Sequence, residues 1–136
     1  MITIKNLNKL YGRQHVLHDI NLQLEQGQCI GFVGPNGCGK TTLMKCILGL
    51  VTPQSGEVLV DGMNVQENPS YRRHIGFMPQ NSCFPENMSV GETFRTIRDV
   101  RKDSDNLDKE LYDAFEIEAI AGKKTKTLSG GTSQKV

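Results

Sequence analysis

In the run Gly34-Pro35-Asn36-Gly37-Cys38-Gly39-Lys40-Thr41-Thr42 the first eight residues satisfy the pattern G-x-x-x-x-G-K-[ST]. The chemistry this spacing suits is capture of a polyphosphate. A phosphate needs many donors converging on one anion, and glycines at 34, 37 and 39 let the backbone curl until successive N–H groups point inward. Lys40 brings a mobile positive charge to the β- and γ-phosphates, and the Thr41 hydroxyl is a suitable ligand for Mg²⁺. A second constellation closes the chain, Leu128-Ser129-Gly130-Gly131-Thr132-Ser133-Gln134-Lys135-Val136. Ser129 is a good helix N-cap, and two glycines allow close backbone approach to a ligand. That makes a second candidate anion site, although SGG by itself is also an ordinary helix start.

The first motif is expected between a strand and a helix. Gln28-Cys29-Ile30-Gly31-Phe32-Val33 reads as a strand buried on both faces. Leu43, Met44, Ile47, Leu48 and Leu50 predict a helix that continues to the stop signal Thr52-Pro53-Gln54-Ser55-Gly56. Upstream, Ile2 and Ile4 alternate, as do Val16-Leu17, Ile20, Leu22 and Leu24 with His18, Asn21 and Gln23, so this stretch reads as strands before a turn at Glu25-Gln26-Gly27. Glu57–Val60 predicts a strand, Asp61-Gly62 a hairpin turn, and His74–Met78 another strand closed by Pro79-Gln80. From residue 81 the period becomes helical. Ser89-Val90-Gly91-Glu92 has capping-box spacing, and Val90, Phe94, Ile97 and Val100 form one apolar stripe. Leu107, Leu111, Ala114, Phe115 and Ile117 mark a further helical stretch, with the mixed-charge run Arg98–Asp105 as a solvated helix end and loop. The expected organisation is an α/β part over 1–80, a helical part over 81–128 and the start of another helix over 129–136, without a linker.

Composition bounds the function classes. Of 136 residues, 37% are hydrophobic and 23% charged, which excludes collagen-like and disordered chains. Residues 1–68 carry 5 basic and 5 acidic side chains, and residues 69–136 carry 11 and 10. Neither half has the positive excess of a general nucleic-acid binder, so no nucleic-acid partner is expected. The longest apolar stretch, Cys46–Val51, is far short of the ~20 residues of a membrane-crossing helix. The residues Met1–Lys9 lack the continuous apolar segment of a secretory leader. Cysteines at 29, 38, 46 and 83 include no CxxC pair and read as free thiols of a reducing compartment.

Together the two motifs resemble the ATP-binding subunits of ABC transporters, and the resemblance runs the length of the chain. It includes Asp61-Gly62 after a strand, Gly76-Phe77-Met78-Pro79-Gln80 at the family's Q-loop, and Leu128-Ser129-Gly130-Gly131 at its signature. The fold it implies is an α/β P-loop ABC ATPase with an N-terminal antiparallel β portion and a partial helical subdomain, truncated before the second acidic strand. It implies ATP and Mg²⁺, bound by Gly34, Pro35, Asn36, Gly37, Cys38, Gly39, Lys40, Thr41 and Thr42, with Thr41 and Gln80 toward the metal. Tyr11 falls where the family places the aromatic that stacks on adenine, although a tyrosine near a strand end is often simple packing. Gln80 is expected to contact Mg²⁺ or the attacking water and to sense the membrane partner. Ser129, Gly130, Gly131 and Gln134 are expected to face the ATP of a second subunit, a second copy of this chain.

The same resemblance implies a transmembrane permease docked around Gln80–Glu92, and hence a cytoplasmic protein held at the inner face of the plasma membrane. The family's catalytic Glu, D-loop and switch His follow the signature, and residues 130–136 show none of them, so the expectation is a truncated sequence inactive by itself. Two alternatives share the motifs: a soluble ABC protein of translation or DNA repair, and a nucleotide-binding regulator without turnover. Thr132 stands where the family commonly has Gln. With Tyr71-Arg72-Arg73 and Phe84-Pro85-Glu86-Asn87, that variant looks like the ATPases grouped with copper handling for nitrous-oxide reductase maturation.

Overall fold

A computed structural model describes residues 1–79, 84–101 and 109–136. These form two compact units, Met1–Gly76 and Phe77–Val136. In the first, β1 (Ile2–Tyr11), β2 (Gln14–Leu24), β3 (Ser55–Val60) and β4 (Met63–Asn64) make one antiparallel sheet ordered β2-β1-β3-β4.

Period-2 alternation alone would put Ile4 and Leu7 on opposite faces, yet both are buried, at 2% and 0% exposure. The register explains it. Pairing shifts between Ile4↔Leu22 and Leu7↔Ile20, and Asn6 takes the left-handed conformation at φ 49. Asparagine tolerates that conformation, and its neighbours take up the groups the bulge removes from the ladder. Asn21 Oδ1 accepts from the Asn6 amide at 2.8 Å, and Asn8 Oδ1 accepts from the Asp19 amide at 3.0 Å. The β3–β4 turn is the expected hairpin, with Asp61 at φ 48 and Gly62 at φ 78 between the paired Val60 and Met63.

Against this sheet lies α1 (Lys40–Ile47), which buries Leu43, Cys46 and Ile47 at the i, i+3, i+4 spacing of one helical face. They join Ile4, Leu7, Leu17, Val58, Val60, Val65 and Tyr71 in one core. α1 ends earlier than its apolar spacing predicts. Gly49 turns left-handed at φ 64, its amide donates to the Cys46 carbonyl at 3.0 Å, and the Leu50 amide donates to Lys45 at 2.9 Å. Those two bonds are a Schellman closure, so glycine rather than Pro53 stops the helix.

Two expected strands do not form. Gln28–Val33 and Ile75–Met78 pair with no strand among the described residues, and His74 closes a 3₁₀ turn (Pro69–His74). An extended run becomes a strand only when a neighbour takes its N–H and C=O groups, and the four strands here pair only with one another. Val33 and Met78 accordingly stand 98% and 82% exposed.

In the second unit, α2 (Val90–Arg101) opens with the expected capping box: the Ser89 amide donates to Glu92 Oε2 at 2.7 Å and the Glu92 amide to Ser89 Oγ at 3.2 Å. α3 (Glu110–Ala114) and α4 (Ile117–Ile120) follow, and Glu116 between them is left-handed at φ 52. The apolar stripes are covered only in part. Val90 and Ile117 are buried, whereas Ile97, Val100 and Leu111 are exposed, and Leu107 lies outside the described residues. The Gly91 amide donates to the Ala121 carbonyl at 2.9 Å, and Thr125 Oγ1 to the Pro85 carbonyl at 2.7 Å. A 3₁₀ turn (Thr125–Thr127) leads to α5 (Gly130–Lys135).

Candidate phosphate-binding site

The 34–39 loop folds around the ammonium of Lys40. Lys40 Nζ donates to the carbonyls of Gly34 at 2.7 Å and Pro35 at 2.8 Å, and lies 3.6 Å from Cys38 Sγ. The Cys38 amide donates back to Pro35 at 3.4 Å. Gly37 and Gly39 are left-handed, at φ 84 and φ 98, so two of the three glycines hold conformations that side chains resist. Gly39 is also pressed against β2: a Cβ there would lie 2.9 Å from Leu17 Cδ2 and 3.0 Å from the Val16 carbonyl. β2 therefore fixes where the loop turns into α1. The sequence pattern marks Gly39 but not its neighbours Val16 and Leu17, which read only as strand residues.

The N-terminus of α1 lacks the side-chain cap found on α2 and α5; α3 and α4 also lack one, but each carries at least one acidic residue in its first turn. Asn68 caps the 3₁₀ turn, Ser89 and Glu92 close α2, and Ser129 Oγ accepts from the Thr132 amide of α5 at 3.3 Å. α1 begins at Gly39, with no side-chain cap and no acidic residue in its first turn. Its first amides and the positive end of its dipole thus point to an anion supplied from outside. Thr41 is exposed on that turn and Thr42 half-buried, while Pro35 and Asn36 are exposed. These residues fit a Mg²⁺-polyphosphate, with uncapped amides and Lys40 for the phosphates and the Thr41 hydroxyl for the metal.

Tyr11 ends β1 opposite Gln14 and is 48% exposed. Its link to the loop runs through the hairpin, since Lys9 pairs with Leu17, the residue wedged against Gly39. Within the core, burial raises the Cys46 thiol pKa, opposed by the nearby charge of Lys9. Cys29, Cys38 and Cys46 are free thiols, and the described residues hold no group of three or more potential metal ligands.

The family profile described as ABC transporter matches residues 17–136. The chain belongs to the ABC transporter family. It is 34% identical over 143 residues to the sulfate/thiosulfate import ATP-binding protein of Caulobacter vibrioides, a match covering 99% of this chain and 42% of that protein. It is 31% identical to the lipopolysaccharide export system ATP-binding protein of Escherichia coli K12, covering 99% of this chain and 59% of that one. A bacterial ABC transporter cassette solved as a dimer superposes with TM-score 0.81 at 25% identity, over 99% of this chain and 66% of that one. The chain thus spans about half the length of the curated relatives it matches. The expected P-loop fold with an N-terminal antiparallel sheet is the fold of this ABC chain.

The expected signature residues Leu128–Gly131 lie in the unit Phe77–Val136, the expected phosphate loop and Tyr11 in the unit Met1–Gly76. Ser129 starts α5 in extended backbone, at φ −67 and ψ 159, and its hydroxyl lies 2.9 Å from Thr132 Oγ1. A Cβ at Gly130 or Gly131 would meet nothing within 4 Å, and Gln134 is exposed. Gln80 lies outside the described residues. No helix among the described residues is long and apolar enough to cross a membrane.

Proposed function

We propose that this chain is the ATP-binding part of an ABC transporter subunit whose ATP hydrolysis drives transport. The observation that carries the reading is the uncapped start of α1 beside a lysine held in the curl of its own loop. Gly34–Thr42 bind the ATP phosphates, Tyr11 stacks on adenine, and Thr41 and Gln80 hold Mg²⁺. When bound, that ion neutralises charge on the β- and γ-phosphates. Lys40 releases the Gly34 and Pro35 carbonyls to meet the phosphates, which exchanges two neutral acceptors for charged ones.

Ser129, Gly130, Gly131 and Gln134 face the ATP of a second copy of the chain, so that each of two sites is shared. The similarity to a dimeric cassette supports that arrangement. A permease docks around residues 80–92, which places the protein at the cytoplasmic side of the plasma membrane without nucleic acid as a partner. In this reading nucleotide binding falls to residues 1–80 and helical coupling to residues 81–128. What supports the narrower assignment to copper handling for nitrous-oxide reductase maturation is the variant sequence at 71–73, 84–87 and 132. Loss of nitrous-oxide reductase copper on deletion of the gene is its test.

The central test is calorimetric titration of the full-length subunit with Mg-ATP. Lys40→Ala is expected to weaken binding by about 2 kcal/mol or more, through loss of a charge-assisted contact. Thr41→Ala is expected to reduce mainly the dependence on Mg²⁺. Unchanged affinity in both variants overturns the assignment.

A further inference from the structure

One cation beside the site has no part in the function proposed above. The Lys9 ammonium lies 4.9 Å from the centroid of the Tyr11 ring. It is fixed there, because Nζ also donates to the Thr52 carbonyl at 2.8 Å. Gln54 grips the next residue of the strand: its side-chain oxygen accepts from the Leu10 amide at 2.7 Å, and its side-chain nitrogen donates to the Leu10 carbonyl at 3.1 Å. The Gln54 amide donates to the Asn8 carbonyl at 2.9 Å. Residues 52–54 thus hold Asn8, Lys9 and Leu10 one after another, up to the residue that carries the ring.

We propose that Lys9 is a positioning residue for nucleobase recognition, occupying one face of Tyr11 and leaving the other face to the base. The proposal rests on the reading of Tyr11 as the base-stacking residue. An exposed aromatic side chain loses rotamer freedom when a ligand orders it, and a ring already ordered loses less. A lysine over an exposed ring gives a modest attraction. The tie to Thr52 makes it geometric as well, since the ammonium cannot follow the ring elsewhere without breaking a 2.8 Å hydrogen bond. Because residues 52–54 follow the turn that ends α1, the segment that positions the ring is connected to the helix that starts at Lys40. Base and phosphate recognition then share one support.

The experiment compares ATP with inorganic tripolyphosphate, which has the phosphates and no base. Both are titrated by calorimetry, with Mg²⁺, into the full-length subunit and its Tyr11→Ala, Lys9→Met and Lys9→Arg variants. Lys9→Met keeps most of the aliphatic stem and removes the charge. It is expected to weaken ATP by about two- to fivefold, the scale of one exposed cation–π contact, and to leave tripolyphosphate unchanged. Lys9→Arg is expected to restore ATP affinity, because guanidinium also sits over rings and donates to carbonyls. Unchanged tripolyphosphate binding certifies that each variant is folded. Full ATP affinity in Lys9→Met, or equal weakening of both ligands, overturns the proposal wherever Tyr11→Ala selectively weakens ATP. If Tyr11→Ala leaves ATP binding untouched, the base-stacking reading itself falls, and the role of Lys9 falls with it.

Discussion

Substituting Gly39 with alanine separates what the phosphate loop needs from its backbone and what it needs from its surroundings. Gly37 is the internal control. Both residues are left-handed, at φ 84 and φ 98, so Gly37→Ala and Gly39→Ala each impose a strain of about 1–2 kcal/mol. Around Gly37 a new Cβ meets nothing within 4 Å. Around Gly39 it lands 2.9 Å from Leu17 Cδ2, 3.0 Å from the Val16 carbonyl and 3.4 Å from Val16 Cγ1. The Leu17 methyl can rotate aside, but the Val16 carbonyl belongs to β2 and cannot move without the strand. Overpacking of that kind adds about 1–3 kcal/mol, so Gly39→Ala should cost about 2–5 kcal/mol in all. Urea unfolding of the full-length protein reads the difference. With a slope near 2 kcal/mol per molar, the Gly39→Ala midpoint should fall below that of Gly37→Ala by about 0.5–1.5 M. Equal midpoints would refute the argument that β2 is the wall fixing the start of α1.

Two further outcomes follow from the second unit. Hydrogen bonds from the Ser89 amide and hydroxyl, with the charge of Lys124, hold the Glu92 carboxyl below its ordinary value near 4.5. A carboxyl depressed on folding stabilises above its unfolded pKa and loses that stabilisation as pH falls through the folded one. The stability difference between wild type and Glu92→Gln, followed by chemical denaturation, should therefore be level above about pH 5 and shrink below 4.5; a difference flat down to pH 3 would contradict the capping box. Ser129→Arg should leave ATP binding by the monomer intact and abolish ATP-driven dimerisation, because a long side chain enters the open space around Gly130 and Gly131; light scattering that finds a normal dimer would reduce Ser129 to a helix cap.

What could be read from the sequence was the chemistry whose signal is local. The Asp61-Gly62 turn and the Ser89–Glu92 box each depend on residues a few positions apart, and each forms as its spacing implies; at the phosphate motif Gly37 and Gly39 are left-handed and Lys40 opens α1, but the strand expected before the loop does not form. What could not be read depends on distant partners. Gln28–Val33 has the apolar content of a buried strand, but a strand is a relation between two segments, and no described segment pairs with this one. Leu7 looks misplaced in an alternating strand until the bulge at Asn6, supported by Asn21 and Asp19 from β2, turns it inward. The position of Lys9 over Tyr11 is fixed by Thr52, 43 residues away. Gly49 carries a signal that could have found the end of α1, since glycine after an apolar helix is a common stop. Pro53 outweighs it on paper only because proline is the stronger breaker.

The serine of the expected signature is committed twice, as the cap of α5 and as the proposed contact to a partner's nucleotide, and hydroxyl chemistry resolves the conflict. A hydroxyl has one proton to give and two lone pairs to receive with. Ser129 Oγ accepts from the Thr132 amide at 3.3 Å, which uses one lone pair, and stands 2.9 Å from Thr132 Oγ1. If the threonine hydroxyl is the donor in that second contact, both lone pairs of Ser129 are filled and its proton is left to point outward. An outward proton beside two open glycines is what a phosphate oxygen requires. A glutamine at position 132 would bring an amide on a longer, more flexible stem. Thr132 instead places a hydroxyl one turn into the helix, 2.9 Å from Ser129 Oγ, where either oxygen can be the donor. Capping uses one lone pair of Ser129 Oγ and no proton, so the cap and the proposed ligand contact are compatible on one oxygen atom.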